Sequence, residues 1–208
     1  MTDVRAKSKC FLCGAKYTMR GFTRHIATCL VEENNYAIEN DIERHNFFHL
    51  FVSAKHMPEY WLHIKAKSSS SFSTLDSFLR KIWLECCGHL SAFYLPQFAE
   101  IPMSRKLSTV LQPKTELRYE YDFGSTTELK IKAVGQYTGP FDGNRSIQVI
   151  SRNNPPIVEC LCGKATATKI CPECGYEWIC DSCAEEHEDC GLMPVVNSPR
   201  TGVCGYVG

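Results

Sequence analysis

The stretch CLCGKATATKICPECGYEWICDSCAEEHEDC, residues 160–190, holds eight side chains that can bind a metal ion. They follow the spacing C-x-C-x8-C-x2-C-x5-C-x2-C-x3-H-x2-C and are Cys160, Cys162, Cys171, Cys174, Cys180, Cys183, His187 and Cys190. Zinc takes four tetrahedral ligands from thiolates and imidazoles, so eight ligands suit two structural zinc ions. Because few hydrophobic residues lie between these ligands, we expect metal binding to supply most of the free energy that folds the segment.

The eight ligands can be shared between two ions in two ways. In an alternating arrangement, one ion takes Cys160, Cys162, Cys180 and Cys183, and the other takes Cys171, Cys174, His187 and Cys190. A sequential pairing is the alternative. The run from Cys171 to His187 resembles the B-box and MYND-type cross-brace modules, although its first pair is C-x-C and its last ligand is Cys190. The resemblance implies a protein-interaction surface over residues 157–192.

A second metal motif lies near the N-terminus and has the spacing C-x2-C-x11-H-x3-C. Its ligands are Cys10, Cys13, His25 and Cys29. Because His25 and Cys29 are four residues apart, a helix would present both on one face. The motif resembles a two-Cys, two-His zinc finger whose last His is replaced by Cys. The resemblance implies a hairpin followed by a short helix over residues 1–32, and a third zinc ion.

The chain is neutral overall but its charge is unevenly distributed. Residues 1–30 carry six basic residues against one acidic residue, a net charge of +5, whereas residues 157–190 carry two against eight, a net charge of −6. Nucleic-acid binding depends on clustered Lys and Arg. The candidate nucleic-acid contacts are therefore Lys16, Arg20 and Arg24. The alternative is that the basic N-terminal arm, which includes Arg5, is a solvated terminus without a binding role.

The thirteen cysteines also indicate a cellular compartment. A disulfide framework is typical of small secreted domains. The chain begins Met1-Thr2-Asp3 without an apolar signal segment, and it has no apolar run long enough to span a bilayer. We therefore expect a cytoplasmic protein whose cysteines bind metal.

Residues 33–156 have the pattern of one α+β domain with a small mixed or antiparallel sheet. Alternating apolar residues on both sides of the turn at 56–59 predict two strands, and further strands are expected at 117–123, 129–134 and 147–151. Ser73 and Asp76 resemble a capping box. One main amphipathic helix is expected after them from the helical spacing of Leu75, Phe78, Leu79, Ile82, Trp83, Cys86 and Leu90.

Several short motifs in this domain resemble a known family. They are Thr74-Leu75-Asp76, Ile82-Trp83, His89-Leu90-Ser91-Ala92-Phe93 and Tyr119-Glu120-Tyr121-Asp122-Phe123-Gly124. The domain resembles the Ri-plasmid ORF-three-like family, also described as insertion-element passenger proteins of TnpR type. The resemblance implies an association with mobile elements but no defined activity. Ser125, Thr126 and Thr127 depart from the family pattern.

No catalytic constellation is recognisable, and His89, Asp122 and Cys204 are the candidates if the protein is an enzyme. Cys86 and Cys87 are expected on the buried face of the helix, with a redox role as a minor hypothesis. Residues 193–208 are expected to form an extended tail, either docked or offered to a partner. Cys204 within it either replaces Cys190 as a ligand or stays free.

The sequence thus favours a non-enzymatic adaptor with three structural zinc ions that binds a protein partner. Fully ligated zinc leaves no coordination position for a substrate water, which argues against metal catalysis. The alternative is a DNA- or RNA-binding protein that uses the basic N-terminal finger.

Overall fold

The computed structural model describes residues 7–97 and 99–208, so Arg5 and the beginning of the basic arm lie outside the described residues. The elements, in chain order, are β1 (Ser8–Lys9), β2 (Lys16–Tyr17), α1 (Met19–Glu39), β3 (His45–Ala54), β4 (Trp61–Lys67), α2 (Phe72–Leu79), β5 (Ser91–Tyr94), β6 (Glu100–Ile101), β7 (Glu116–Tyr121), β8 (Thr127–Gly139), β9 (Ile147–Arg152), β10 (Lys169–Cys171), β11 (Glu177–Ile179), α3 (Asp181–Ala184) and β12 (Met193–Pro194). The mixed α+β class expected from the sequence is confirmed.

A seven-stranded sheet forms the centre of the molecule. Its strand order is β6-β5-β7-β8-β3-β4-β9, and every neighbouring pair is antiparallel. The strands expected on each side of the turn at 56–59 are confirmed as β3 and β4. Those expected near 117–123, 129–134 and 147–151 are confirmed as β7, β8 and β9, while β5 and β6 were not predicted.

One face of the sheet carries the main core. Successive side chains of a strand point to opposite faces, and Phe48, Leu50 and Val52 of β3 all point to this side. There they pack with Leu75 and Leu79 of α2, and all five side chains are fully or almost fully buried. At about 25 cal/mol per Å² of apolar surface removed from water, burial on this scale is the main stabilising contribution to the fold.

The opposite face of the sheet is covered by α1. Phe22, Ile26 and Leu30 recur at helical spacing on one side of this helix and pack against Phe47 of β3 and Trp61 of β4. The helix is 21 residues long and continues ten residues beyond Cys29, to Glu39. The short finger helix expected from the sequence is therefore part of a longer helix, and the predicted boundary between residues 32 and 33 falls inside it.

The helix α2 is shorter than the sequence pattern predicts, and two details of that prediction are wrong. Its N-cap is Ser71, whose Oγ accepts a hydrogen bond from the Thr74 N–H (3.2 Å), and not Ser73. A π-helical turn over residues 80–84 ends the helical segment. Cys86 and Leu90 lie beyond it, and Leu90 is 73% exposed.

A partly buried polar network takes the place of the expected capping box. Asp76 accepts hydrogen bonds from Tyr119 Oη (2.7 Å), Ser91 Oγ (2.6 Å) and Arg80 Nε (2.9 Å). The neighbouring Tyr121 donates to Glu85 Oε1 (3.2 Å). These contacts fix the end of the helical segment against β5 and β7, which positions the residues that follow Glu85.

The C-terminal cysteine-rich segment forms a separate small sheet of order β11-β10-β12. Residues 193–208 then return to the central domain. Ser198 Oγ donates to the Trp83 carbonyl (2.5 Å), and the fully buried Arg200 donates through Nη2 to Asp122 Oδ2 (2.5 Å). Of the two arrangements considered for the tail, the structure has the docked one. Among the residues that the structure describes, no helix combines the length and apolar character needed to cross a bilayer.

Candidate metal centres

The N-terminal group combines a hairpin with the first turns of α1. Cys10 and Cys13 lie in the loop between β1 and β2, while His25 and Cys29 lie on consecutive turns of the helix. The four ligand atoms lie within 4.8 Å of one another, and Cys13 Sγ is 3.3 Å from His25 Nε2. The ring of Tyr17 stacks on His25, with centroids 4.1 Å apart, and so fixes the imidazole plane.

This group is held against the central sheet. The Phe11 N–H donates to the Ile150 carbonyl (2.7 Å), and Ser151 Oγ donates to the Lys9 carbonyl (2.9 Å). Cys10 and Cys29 are buried in the same apolar cluster as Phe22. The N-terminal metal motif is therefore an extension of the central domain's second core.

The C-terminal segment holds two groups whose members alternate along the chain. The first is Cys160, Cys162, Cys180 and Cys183, and the second is Cys171, Cys174, His187 and Cys190. This grouping corresponds to the alternating arrangement and not to the sequential one. Pairing of β10 with β11 brings Cys171 close to the residues that precede Cys180, which interleaves the two groups.

The distances within these groups suit tetrahedral zinc. Zn–S bonds of about 2.3 Å at tetrahedral angles put ligand sulfurs roughly 3.8 Å apart. Cys160 and Cys183 have Sγ atoms 3.7 Å apart, and Cys174 and Cys190 have Sγ atoms 4.0 Å apart. Thiolate-rich tetrahedral sites are typical of zinc, so the donor set fits the expected metal.

A fourth group was not predicted from the sequence. Cys86, Cys87 and His89 follow the helical segment of α2, and Cys204 of the docked tail joins them, with all four ligand atoms within 4.8 Å. The sequence signal was weak because two ligands are adjacent and the fourth is 115 residues away from His89. With this group included, each of the thirteen cysteines belongs to a candidate metal group.

All four groups share a backbone feature. A glycine follows a ligand cysteine and adopts a positive φ, the conformation that glycine tolerates best. The five examples are Gly14 (φ 80°), Gly88 (φ 81°), Gly163 (φ 69°), Gly175 (φ 81°) and Gly205 (φ 66°). In two groups the turn is closed by a hydrogen bond from the glycine N–H to the carbonyl of the first cysteine, at 2.8 Å for Gly14 to Cys10 and for Gly163 to Cys160.

The thiols within each group perturb one another's titration. Hydrogen bonding to Cys180 raises the pKa of Cys183 to about 12, and hydrogen bonding to Cys171 raises the pKa of Cys190 to about 12. Hydrogen bonding to Cys204 raises the pKa of Cys87 to about 11. Closely spaced thiolates repel one another, and a bound divalent cation would offset that repulsion and release the protons.

The three enzyme candidates meet at the fourth group but not in catalytic geometry. His89 Nε2 lies 3.2 Å from Cys204 Sγ and 3.5 Å from Asp122 Oδ2. A nucleophile–base–carboxylate triad needs the two ring nitrogens of the histidine to engage different partners. Asp122 is already paired with Arg200, and its Oδ1 accepts from the backbone N–H groups of Gly124 and Ser125, as expected for a turn.

The candidate nucleic-acid contacts lie on the surface of the molecule. Lys16, Arg20 and Arg24, the candidate nucleic-acid contacts, are all exposed, and the two arginines lie one turn apart on α1.

Cys86 and Cys87 were expected on a buried helical face, and this is wrong. Cys86 is only partly buried and Cys87 is exposed, because the helical segment ends before them.

Comparisons with known proteins give little beyond the geometry. No protein-family model matches the chain, and its sequence matches no curated protein. Among solved structures, a protein of unknown function from Methanosarcina mazei Go1 is similar over 51% of this chain and 67% of that chain, with a TM-score of 0.42 and 20% identity. The functional proposal therefore rests on the four Cys/His groups that the described residues form, each of which can hold a metal ion.

Proposed function

We propose that the protein is a zinc-stabilised, non-enzymatic adaptor that binds a protein partner. One observation carries this proposal: each Cys/His group offers four protein ligands to its ion. A tetrahedral zinc ion held by four side chains has no open position for a substrate or a reactive water. Such an ion stabilises the fold of the surface around it and does not take part in catalysis.

The C-terminal module, residues 157–192, has the surface that best fits this role. Ile157 and Leu161 are 73% and 72% exposed, and Tyr176 is 57% exposed. Large apolar side chains that remain in water are available to be buried by a partner. Aromatic residues of this kind are enriched at protein interfaces.

The charge of this module indicates the chemistry of the partner. Residues 157–190 have a net charge of −6 before metal is counted. A zinc ion bound by four thiolates adds a charge of −2 to the site, and one bound by three thiolates and an imidazole adds −1. The partner is therefore a protein segment with basic and apolar side chains, since an acidic surface repels nucleic acid and attracts basic groups.

Affinity capture of the tagged full-length chain tests this proposal. Leu161→Asp removes an exposed apolar contact and adds a like charge, so it should release the captured partner. The matched control is Ile38→Asp, because Ile38 is 53% exposed on α1, outside the module. The proposal is supported if the partner stays bound after nuclease treatment and is released by Leu161→Asp but not by Ile38→Asp. Equal capture by the wild type and both variants contradicts it.

A second candidate function is nucleic-acid binding by the basic finger. Its specific support is the placement of the exposed Arg20 and Arg24 away from Phe22 and Ile26, which face the sheet. A finger docked in this way presents its basic side outward. One finger covers about three base pairs, so it would add to a larger surface rather than specify a sequence alone.

Salt-dependent binding to DNA and RNA oligomers distinguishes this second function. Arg20→Ala combined with Arg24→Ala should weaken binding and reduce the slope of log affinity against log salt by about two, one for each lost phosphate contact. The control pair is Lys106→Ala with Lys130→Ala, which removes two exposed lysines of the central domain. Equal effects of the two pairs would exclude a role for the finger.

A further inference from the structure

We propose that Cys86, Cys87, His89 and Cys204 form a fourth zinc site, which joins residues 193–208 to the central domain. Three of the ligands lie within four residues just after the helical segment of α2, and the fourth comes from the docked tail. The site differs from the other three because its ligands come from distant parts of the chain. A metal ion at this site links the tail to the central domain.

The distances between ligand atoms fit one tetrahedral ion. Cys86 and Cys87 have Sγ atoms 3.8 Å apart, and Cys87 and Cys204 have Sγ atoms 3.6 Å apart. His89 Nε2 lies 3.0 Å from Cys87 Sγ and 3.2 Å from Cys204 Sγ. Tetrahedral zinc places its sulfur ligands roughly 3.8 Å apart. A single nitrogen that faces two sulfurs is the arrangement that a shared metal ion produces.

The backbone around these ligands matches that of the predicted sites. Gly88 after Cys87 and Gly205 after Cys204 both have positive φ, as Gly14, Gly163 and Gly175 do in the other groups. Cys204 itself also has a positive φ of 51°, which is uncommon for a residue with a side chain. Conformations of this kind persist only where the surroundings hold them, and a metal–sulfur bond would do so.

Neighbouring groups support thiolate ligands at this position. Arg200 Nη2 donates to Cys86 Sγ (3.5 Å), and the guanidinium is fully buried between Asp122 and Tyr121. A cation that donates to a metal-bound sulfur stabilises the thiolate form and orients the ligand. The Gly88 N–H also donates to Glu85 Oε1 (2.6 Å), which holds the loop that carries Cys87 and His89.

A disulfide or a catalytic triad fits the geometry of this cluster less well than a metal ion does. A disulfide needs sulfurs about 2.05 Å apart, whereas the sulfurs here are separated by 3.6 Å or more and surround a nitrogen. A catalytic Cys–His–Asp arrangement would place Cys204 and Asp122 at different nitrogens of His89, and both lie at Nε2. A tetrahedral metal accounts for all four side chains at once.

Zinc stoichiometry of the purified full-length chain tests the proposal. We expect four zinc ions per chain in the wild type, and three in each of the single variants Cys204→Ser and Cys87→Ser, which remove ligands from the two separate segments. The matched control is Val207→Ser, because Val207 is 62% exposed in the same tail and should leave four ions in place. The three ions that remain in each variant also report that the rest of the chain is folded.

A second measurement follows the tail itself. Loss of the fourth ion should speed proteolytic cleavage within residues 193–208 in Cys204→Ser and Cys87→Ser, and not in Val207→Ser. A wild type with three ions, or an ion count that is the same in the wild type, Cys204→Ser and Cys87→Ser, overturns the proposal. A count that falls by one in both variants together with faster cleavage supports it.

Discussion

At the residue scale, every one of the thirteen cysteines has other metal-binding side chains close to its sulfur. Ten of the thirteen cysteines belong to motifs with zinc-ligand spacing. In the structure these cysteines lie in separate groups, and the ligand atoms within each group are close to one another. Cys86, Cys87 and Cys204 were missed as a group. Their proximity depends on where α2 ends and where the tail docks, and neither event leaves a periodic pattern in the sequence.

The buried Lys65 gives a prediction at this scale. Its Nζ donates to Glu33 Oε1 (2.7 Å) and to the Pro140 carbonyl (2.7 Å), and its side chain is 3% exposed. Lys65→Met should lower the free energy of unfolding by about 3 kcal/mol, because Glu33 is left as a partly buried and unpaired charge. Chemical denaturation measures the loss. The control Lys132→Met breaks an exposed pair with Glu116 and should cost less than about 1 kcal/mol. Similar losses in the two variants would contradict the assigned role of Lys65.

Two buried histidines give a prediction of pH dependence. His49 Nε2 lies 2.8 Å from His63 Nδ1, beneath α1. Burial lowers the pKa of His49 to about 4, and burial together with the charge of His49 lowers the pKa of His63 to about 2. Since the unfolded pKa is near 6.5, the unfolded chain binds protons first as the pH falls. The free energy of unfolding is therefore highest above pH 6.5. It falls as the pH drops below 6.5, by about 2 kcal/mol per histidine at pH 5.

The slope of unfolding free energy against pH between 7 and 5 tests this. His49→Gln combined with His63→Gln should make the slope shallower. His56→Gln removes a largely exposed histidine from the turn between β3 and β4 and should leave the slope unchanged. Acid release of metal affects all three proteins alike, so the difference between them isolates the buried pair. Parallel slopes in all three would mean that the pair does not stay neutral in the fold.

At the scale of elements, strands were easier to predict than helix ends. The alternation of apolar and polar residues predicts β3, β4, β7 and β9 because successive side chains of a strand point to opposite faces of the sheet, which gives a period of two. The same reasoning extended α2 as far as Leu90, since the spacing of apolar residues remains helical beyond the π-helical turn at 80–84. The resemblance to a zinc finger left α1 too short, because the apolar face of this helix continues past the metal motif to cover the sheet.

Metal removal should affect these elements unequally. The C-terminal module has a small core formed largely by ligand cysteines and by Ile179 and Ala184. A strong chelator should therefore abolish amide-exchange protection in β10, β11 and α3, while β3, β4 and β8 keep theirs on the main core. Added zinc should restore the lost protection. Protection of β10 that survives chelation would show that the module folds without metal.

At the scale of the whole molecule, the central sheet supports the N-terminal hairpin, the helices α1 and α2, and the docked tail. The N-terminal Cys/His group is attached to it through Ile150 and Ser151, and α1 and α2 cover its two faces. The tail docks on it through Arg200. The α+β class and the metal motifs were predictable from sequence, but the docking of the tail was not, because a buried arginine and an exposed one look alike in a sequence.

Arg200 therefore gives the prediction at this scale. Besides Asp122, its guanidinium donates to the Ser125 carbonyl and to Thr127 Oγ1, each at 3.1 Å. Arg200→Ala should speed limited proteolysis within residues 193–208 by about tenfold or more, because it leaves Asp122 without its buried partner. The control Arg145→Ala removes an exposed arginine from the loop between β8 and β9. An unchanged cleavage rate in Arg200→Ala would show that different contacts hold the tail.

The position of Arg200 in the chain also has a consequence for synthesis. The partners that it binds, at the end of β7 and the beginning of β8, leave the ribosome more than seventy residues before it does. A nascent chain can form all seven strands of the sheet while Asp122 still lacks its cation and His89 still lacks Cys204. Domains generally fold as units during translation. This one reaches its final state only after residues 198–204 have emerged, so until then the newly made protein exposes a site that chaperones and proteases can recognise.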